Sequence, residues 1–376
     1  MQCDHFDAGR CRSCTLMGMP IAVQVSGKTA RSVALLGPGV DWRPPASGPE
    51  SGFRTKAKMV IGGTIEAPTL GILAPDRTGV DLRDCGVLSP GLVAAMPAIA
   101  ALITAARIPP YDVPARRGEA KHAIITESPD GELMLRLVLR SSESLPRIRK
   151  QLPALLAALP QLRVVTANLL PAHAAVLEGD EELVLTDDDA LAYRIADVVL
   201  HLGPRSFVQT NTAVAEALYR EARVWVDGLD PSTVWDLYCG IGGFALAVAG
   251  EHREVLGIEV SEAAVDAATR SAEEAGLADR VRFLAGDATA AALAAGTPPE
   301  LVIVNPPRRG LGAELADWLE RSGVRSVLYS SCNPDTLAID LERMPSLRPV
   351  RARLFDMFPQ TEHAEVLTLL LRTPQE

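Results

Sequence analysis

Val234-Trp235-Asp236-Leu237-Tyr238-Cys239-Gly240-Ile241-Gly242-Gly243-Phe244 decides the fold. An apolar strand runs into a glycine-rich turn, and the turn opens a helix over Ala245–Ala249. Val255–Val260 reads as a second strand, and its acid Glu259 lies 23 residues beyond Asp236. A helix over Glu262–Ala275 and a strand over Val281–Leu284 follow, with Asp287 past the strand end. Strand Leu301–Val304 then ends in Asn305-Pro306-Pro307-Arg308-Arg309-Gly310, before a helix over Gly312–Ser322 and a strand over Val327–Ser330. This alternation predicts an α/β, doubly wound, Rossmann-like parallel sheet that takes its ligands at the strand C-termini.

A glycine turn with a downstream acid serves either of two cofactors. In NAD enzymes the acid takes the ribose hydroxyls. Here the loop is C-G-x-G-G, so the third glycine of the dinucleotide fingerprint is missing. Asn305-Pro306-Pro307 after the fourth strand suits S-adenosylmethionine enzymes that act on planar nitrogen-containing rings. Glu259 would then hold the cofactor ribose, and Gly240 and Gly242 would let the backbone approach its methionine portion. Asp287 reads equally as a residue near the adenine or as a plain turn residue.

The strand that starts at Val327 ends in Ser330-Ser331-Cys332-Asn333-Pro334. Cys332 sits where such a sheet places chemistry, although free cysteine is also among the most buried residue types. Asn333-Pro334 breaks the strand, and Asp335 or Thr336 can cap a helix over Leu337–Arg343.

At 376 residues the chain is long enough for two domains, read as 1–203 and 204–376. It is 48% hydrophobic and 22% charged, with no run of 18 or more apolar residues and no signal pattern at Met1–His5, which points to a cytoplasmic protein without a membrane span. The net charge of −10 is uneven. Met1–Lys150 carries 19 Lys+Arg against 14 Asp+Glu, and the remainder carries 18 against 33. Such asymmetry is compatible with a basic binding surface on an acidic chain.

Three of the six cysteines, Cys3, Cys11 and Cys14, crowd the N-terminus, and Cys85 follows later. In a cytosolic chain close cysteine spacing favours a metal over disulfides. Four thiolates can close a zinc site or hold an iron–sulfur cluster, and the spacing does not choose between them. A polar N-terminus without apolar periodicity needs something to order it, and metal ligation would do so.

Met19–Leu36 has mixed character, and Asp41–Gly52 reads as a Pro/Gly-rich connector. In Phe53–Val60, alternation puts Arg54, Lys56 and Lys58 on one strand face, a ready phosphate-contacting row. Leu92–Ala106 reads as a helix. His122–Thr126 and Leu133–Arg140 read as strands around Ser128-Pro129-Asp130-Gly131. In the helix Leu145–Leu159, Pro146 fits the first turn and Pro153 should kink or split it. This part reads as mixed α/β of mostly antiparallel character.

Several long motifs together resemble the uracil-C5 RNA methyltransferases, in their 23S ribosomal RNA branch, essentially end to end. They are Met1–Cys14, Phe53–Met59, Ser206-Phe207-Val208-Gln209-Thr210-Asn211, Asp236–Phe244, Asn305–Gly310, Ser330–Pro334 and Phe355–Glu365. The resemblance implies a class I methyltransferase domain behind an N-terminal iron–sulfur and RNA-binding domain. It implies a [4Fe-4S] cluster on Cys3, Cys11, Cys14 and Cys85, and S-adenosylmethionine contacts at Gln209, Tyr238, Glu259 and Asn305. By the same resemblance Cys332 is the nucleophile and Glu365 the base that removes the C5 proton. Part of Met17–Ser47 would pack back onto the catalytic domain. The substrate implied is a uridine in a loop of 23S rRNA, and the protein is expected to be a monomer. Methylation of another rRNA site or of tRNA, and a silent iron–sulfur RNA-binding protein, are the alternatives. Tyr238 stands where Phe is usual in the family, and Asn305 where sister branches have Asp.

Overall fold

The computed structural model describes residues 1–173, 176 and 178–373. In chain order the first elements are α1 (Asp4–Asp7), α2 (Ile21–Leu36), β1 (Asp41–Ala46), β2 (Lys56–Gly63), β3 (Pro68–Leu73), β4 (Gly79–Asp81) and α3 (Pro90–Ala105). Then come β5 (Ala120–Glu127), β6 (Leu133–Leu139), α4 (Leu145–Ala158), β7 (Leu162–Leu169), β8 (Glu181–Val184), β9 (Leu191–Ile195), β10 (Val198–Leu202) and α5 (Thr212–Leu229). The rest are β11 (Thr233–Leu237), α6 (Gly243–Ala247), β12 (Glu254–Glu259), α7 (Glu262–Glu274), β13 (Val281–Ala285), α8 (Ala288–Ala294) and β14 (Leu301–Val304). After these follow α9 (Ala313–Arg321), β15 (Ser326–Ser331), α10 (Pro334–Arg343), β16 (Leu347–Phe355) and β17 (Glu365–Arg372). Among the described residues no helix is long and apolar enough to cross a membrane.

Two compact units emerge, Met1–Met17 with Glu50–Tyr193, and Gly18–Pro49 with Arg194–Glu376. The second junction falls at Tyr193/Arg194 and not at residue 203. β10 already belongs to the second unit, where the His201 amide donates to Ser271 and its ring pairs with Glu274, both on α7.

In the first unit the sheet order is β4-β3-β2-β5-β6-β7-β8, antiparallel except for the β6–β7 pair, which α4 crosses over to join. Leu92, Met96 and Ile103 of α3 and Ile148 and Leu155 of α4 close one core with Met59, Ile61, Ile125 and Leu135 of the sheet. Alternation along β2 buries Ala57, Met59 and Ile61 and turns Lys56 and Lys58 to the other face. Pro153 does not split its helix: α4 runs unbroken from Leu145 to Ala158. Leu152 and Leu155 anchor it on both sides, while Pro153 faces solvent, where water can satisfy the carbonyl it leaves unpaired.

In the second unit the order is β1-β16-β17-β15-β14-β11-β12-β13. β11 to β15 pair in parallel, and β14 and β15 are buried throughout, which is why they read as continuous apolar runs. β17 runs antiparallel between β15 and β16. Its N-terminal end therefore meets the C-terminal end of β15, the edge at which the parallel strands deliver their loops.

Two stretches take other forms than their sequence suggests. Met19–Leu36 contains a full helix, α2, and its buried face is Gln24, Val25, Lys28, Ser32 and Leu36. Asp41–Ala46, read as connector, is the edge strand β1, parallel to β16. An edge position tolerates Pro44 and Pro45, and the pairing register shifts between Arg43 and Ala46, where the two prolines sit. The cap before α10 is Asn333, not Asp335 or Thr336, because Pro334 takes the first helical position.

Candidate active site

The parallel strands bring five loop starts to one edge. After β11, Tyr238 (φ 70°), Gly240 (φ 54°) and Gly242 (φ 86°) are left-handed, and the amides of Tyr238 and Cys239 both bond the Ile258 carbonyl. A non-glycine residue in that region stores strain of roughly 1–3 kcal/mol, held by the packing around it. A Cβ on Gly240 would meet nothing within 4 Å, whereas one on Gly242 would lie 2.8 Å from the Phe283 ring. The turn is thus open on one side and tight against β13 on the other. Glu259 braces it, one carboxylate oxygen accepting from Gly240 N and the other from Ser261 N, both at 3.1 Å.

Asp236 is fully buried under the turn. Its Oδ2 accepts from Ala245 N at 2.9 Å and its Oδ1 has no partner. Burial, aided by the Glu259 charge, pushes its pKa up to about 8. Val260, 75% exposed, and Leu284, 54% exposed, stand bare next to the Glu259–Ala285 pair. Asp287 caps α8 through Ala290 N at 2.8 Å. Gln209 is buried ahead of α5, and Asn305 is half-buried at the end of β14.

Cys332 follows β15 and is half-buried. Burial pushes its thiol pKa up and the Glu365 charge adds to that, while the Arg308 guanidinium pulls it down. Arg308 is set by its neighbours: the side chains of Asn333 (3.1 Å) and Thr336 (3.3 Å) donate to its carbonyl, and its guanidinium reaches the His363 ring at 2.8 Å. Glu365, opposite Phe355 in the sheet, is 1% exposed. Burial raises its pKa to about 7, opposed by a hydrogen bond from the Ser330 hydroxyl.

A cavity of about 230 Å³ beside the thiol is lined by Cys332, Asn333, Arg308 and His363 and, from α2, Lys28 and Arg31. Lys28 donates to Asp356 at 2.5 Å and to the Phe358 carbonyl at 3.2 Å, and Gln24 accepts from the Gln360 amide at 2.9 Å. Together they clamp the turn that leads to Glu365. Beneath, Asp340 accepts from the Tyr329 hydroxyl (2.7 Å) and Leu311 N (2.9 Å), tying the loop after β14 to β15. Such a site can add a thiolate to an electrophilic ring carbon and return a proton to a desolvated carboxylate. Arg308 could have been noticed inside its motif. The same holds for Ser330 and the 70% exposed Phe207, whereas Lys28 lies in no such motif.

In the first unit His5 bonds Asp84 at 2.7 Å, which brings the N-terminal segment to Cys85. Burial raises the Cys14 pKa to about 11, with Cys85, Cys11 and Cys3 adding to the shift, and Cys85 likewise feels Cys11 and Cys3. Among the described residues, no three His, Cys, Asp or Glu side chains converge as one metal ion requires. Arg54 does not extend the row of Lys56 and Lys58: it precedes β2, runs beside Val87 and Ser89, and its charge faces Cys85 and Cys14. Lys56 is driven down to about 8 by burial and by Arg136, and Lys58 is lowered less completely, by burial.

A family model described as tRNA (Uracil-5-)-methyltransferase matches residues 298–373, and one described as a methyltransferase domain matches 234–322. The chain is 48% identical over 375 residues to the 23S rRNA (uracil(747)-C(5))-methyltransferase RlmC of Escherichia coli O139:H28, covering 99% of this chain and all of that one. RlmC of Shigella boydii serotype 4 matches to the same extent. The structure of Pyrococcus abyssi tRNA (uracil-54, C5)-methyltransferase, solved with S-adenosyl-L-homocysteine, superposes with a TM-score of 0.80 at 24% identity, covering 95% of this chain and 85% of that one. That likeness establishes the α/β methyltransferase fold.

Proposed function

The chain belongs to the RNA uracil-C5 methyltransferases, in the branch of the 23S rRNA enzymes RlmC, and we propose that it methylates C5 of one loop uridine of 23S rRNA, of the position-747 type, through a covalent bond between Cys332 and C6. It is an S-adenosylmethionine-dependent RNA methyltransferase. The observation that carries the mechanism is that the Cys332 thiol feels the charge of the buried Glu365 carboxylate on the edge that also carries Glu259.

C5 of uracil is a poor nucleophile. Addition of the Cys332 thiolate to C6 moves the ring electrons onto C5, and cysteine suits the task because it attacks as thiolate and leaves again. The bound sulfonium supplies the methyl group. Glu365 then takes the C5 proton, the C–H pair rebuilds the double bond to C6, and Cys332 departs as thiolate. A carboxyl group with a pKa near 7 is well matched to that duty at neutral pH. The uridine must leave its stack to expose C6, and the bare ring of Phe207 offers a stacking surface.

For the cofactor, the open face above Gly240, the strained Tyr238 and the unpartnered Oδ1 of Asp236 fit a molecule laid across the turn. Glu259 would take the ribose, Gly240, Gly242 and Gln209 the methionine end, and Asn305 and Tyr238 the reacting centre. Asp287 would lie by the adenine, which Val260 and Leu284 can cover. In the first unit, Cys3, Cys11 and Cys85 stand near enough to Cys14 to add to its shift, and these four thiols would hold a [4Fe-4S] cluster. Such a cluster would tie the N-terminal segment to Cys85. Lys56 and Lys58 would meet RNA phosphates, with Arg54 turned to the cluster. Action on ribosomal RNA sets the work in the cytoplasm, by a monomer.

The test is methylation of 23S rRNA and of tRNA by purified protein with S-adenosylmethionine, read as 5-methyluridine. Product in 23S rRNA supports the proposal, product in tRNA alone moves the substrate, and RNA binding without product in either abolishes the catalytic reading.

A further inference from the structure

Glu365 lies at the start of β17 with its carboxylate out of water, and a base so placed has two needs. It must point one oxygen at the substrate, and it must be ionised when C5 carries its proton. Burial opposes the second. Ser330, fully buried on the neighbouring strand, donates its hydroxyl to Oε1 of Glu365. The charged groups on the surrounding elements are Cys332 after β15, Asp356 after β16 with its partner Lys28, Glu221 of α5 with its partner Arg353, and Arg308 with His363. None of these cations is bonded to Glu365, and the Cys332 charge would only oppose its ionisation.

We propose that Ser330 is a positioning residue for the base: its hydroxyl fixes Oε1 of Glu365 and favours the carboxylate form, leaving Oε2 to receive the C5 proton. This rests on Glu365 being the base. The proton passes from C5 to Oε2, the C–H electron pair becomes the C5–C6 double bond, and the C6–S bond breaks with its electrons on Cys332. Ser330 keeps its own proton throughout. Removing that single donor leaves the carboxylate harder to ionise, so the defect belongs to the release step and to its pH dependence.

The experiment is a single-turnover assay of full-length protein with 23S rRNA and S-adenosylmethionine, following decay of the covalent adduct on denaturing gels between about pH 6 and pH 9. In Ser330→Ala, decay should slow about tenfold at neutral pH and recover at the alkaline end, an alkaline displacement of the profile by about one unit. Ser330→Thr, which keeps the hydroxyl, should restore the native profile. A Ser330→Ala profile that overlays the native one, or that falls equally at every pH, overturns the proposal. Glu365→Gln separates the two ideas: an adduct that persists at all pH values keeps Glu365 as base whatever Ser330 does. Native decay in Glu365→Gln would remove the base assignment itself.

Discussion

Cys332 and, from the N-terminal cysteine set, Cys14 and Cys85 are thiols that burial makes slower to lose a proton, and they differ in what stands beside them. Cys332 has one cation, Arg308, against burial and the Glu365 charge. In the set at Cys3, Cys11, Cys14 and Cys85, the neighbouring thiols add to the rise at Cys14 and Cys85, with Arg54 the cation that opposes this at Cys14. One cation is enough for a nucleophile, because a single negative charge forms and the substrate consumes it. Four thiolates would need a multiply charged partner, so as cluster ligands the same residue type would play another part. Cys239, buried beneath the glycine turn and pushed strongly up by burial with no cation near, serves neither purpose.

The comparison breaks first if Cys332 is dispensable. Cys332→Ala should cut methyl transfer by on the order of 10⁴-fold or more while S-adenosylmethionine still binds by calorimetry; residual turnover near the native rate would end the nucleophile reading. Glu365→Gln should slow product release by about 10²–10⁴-fold and leave a covalent RNA–protein band, and a clean gel would count against it. In the native enzyme the sign follows from the raised carboxyl: release quickens as pH rises through about 7, because the base is ionised above that value.

On the other side, Cys14→Ser should lose most of its iron and sulfide in anaerobically purified protein, whereas Cys239→Ser should keep both. Stoichiometric zinc in the native chain would overturn the cluster. Arg308→Ala sharpens the contrast. Without the cation the Cys332 thiol is harder to ionise, so its alkylation by iodoacetamide at neutral pH, measured against Cys332→Ala, should slow roughly tenfold. An unchanged rate would show that Arg308 does not support the thiolate. The smallest effect expected is at Lys58, where Ala should weaken RNA binding a fewfold and reduce the salt slope by about 1.

Much of the catalytic unit is legible because its signals are local. The glycine turn, Glu259, the Asn305–Arg308 loop and the strand ending at Cys332 each declare themselves within a few residues. Helix α2 escaped because its buried stripe holds Gln24, Lys28 and Ser32, while Val23 and Val33 are exposed, so hydropathy points the wrong way. Tertiary partners reverse that sign: Lys28 is buried against Asp356, and Gln24 against Gln360. β1 escaped because two prolines read as connector, and only an edge next to β16 makes them acceptable.

Chain order alone determined the parallel strands, the turn that receives a cofactor and the thiol at a strand end, since each depends on backbone preferences and periodicity over short range. That Glu365 is buried could not be read from its surroundings in sequence, where it looks like an ordinary surface acid. The antiparallel return of β17 decided it, carrying that carboxylate into the interior beside Cys332 and under the Ser330 hydroxyl. A side chain's acidity is set by the dielectric and the donors around it, and those come from residues far away along the chain.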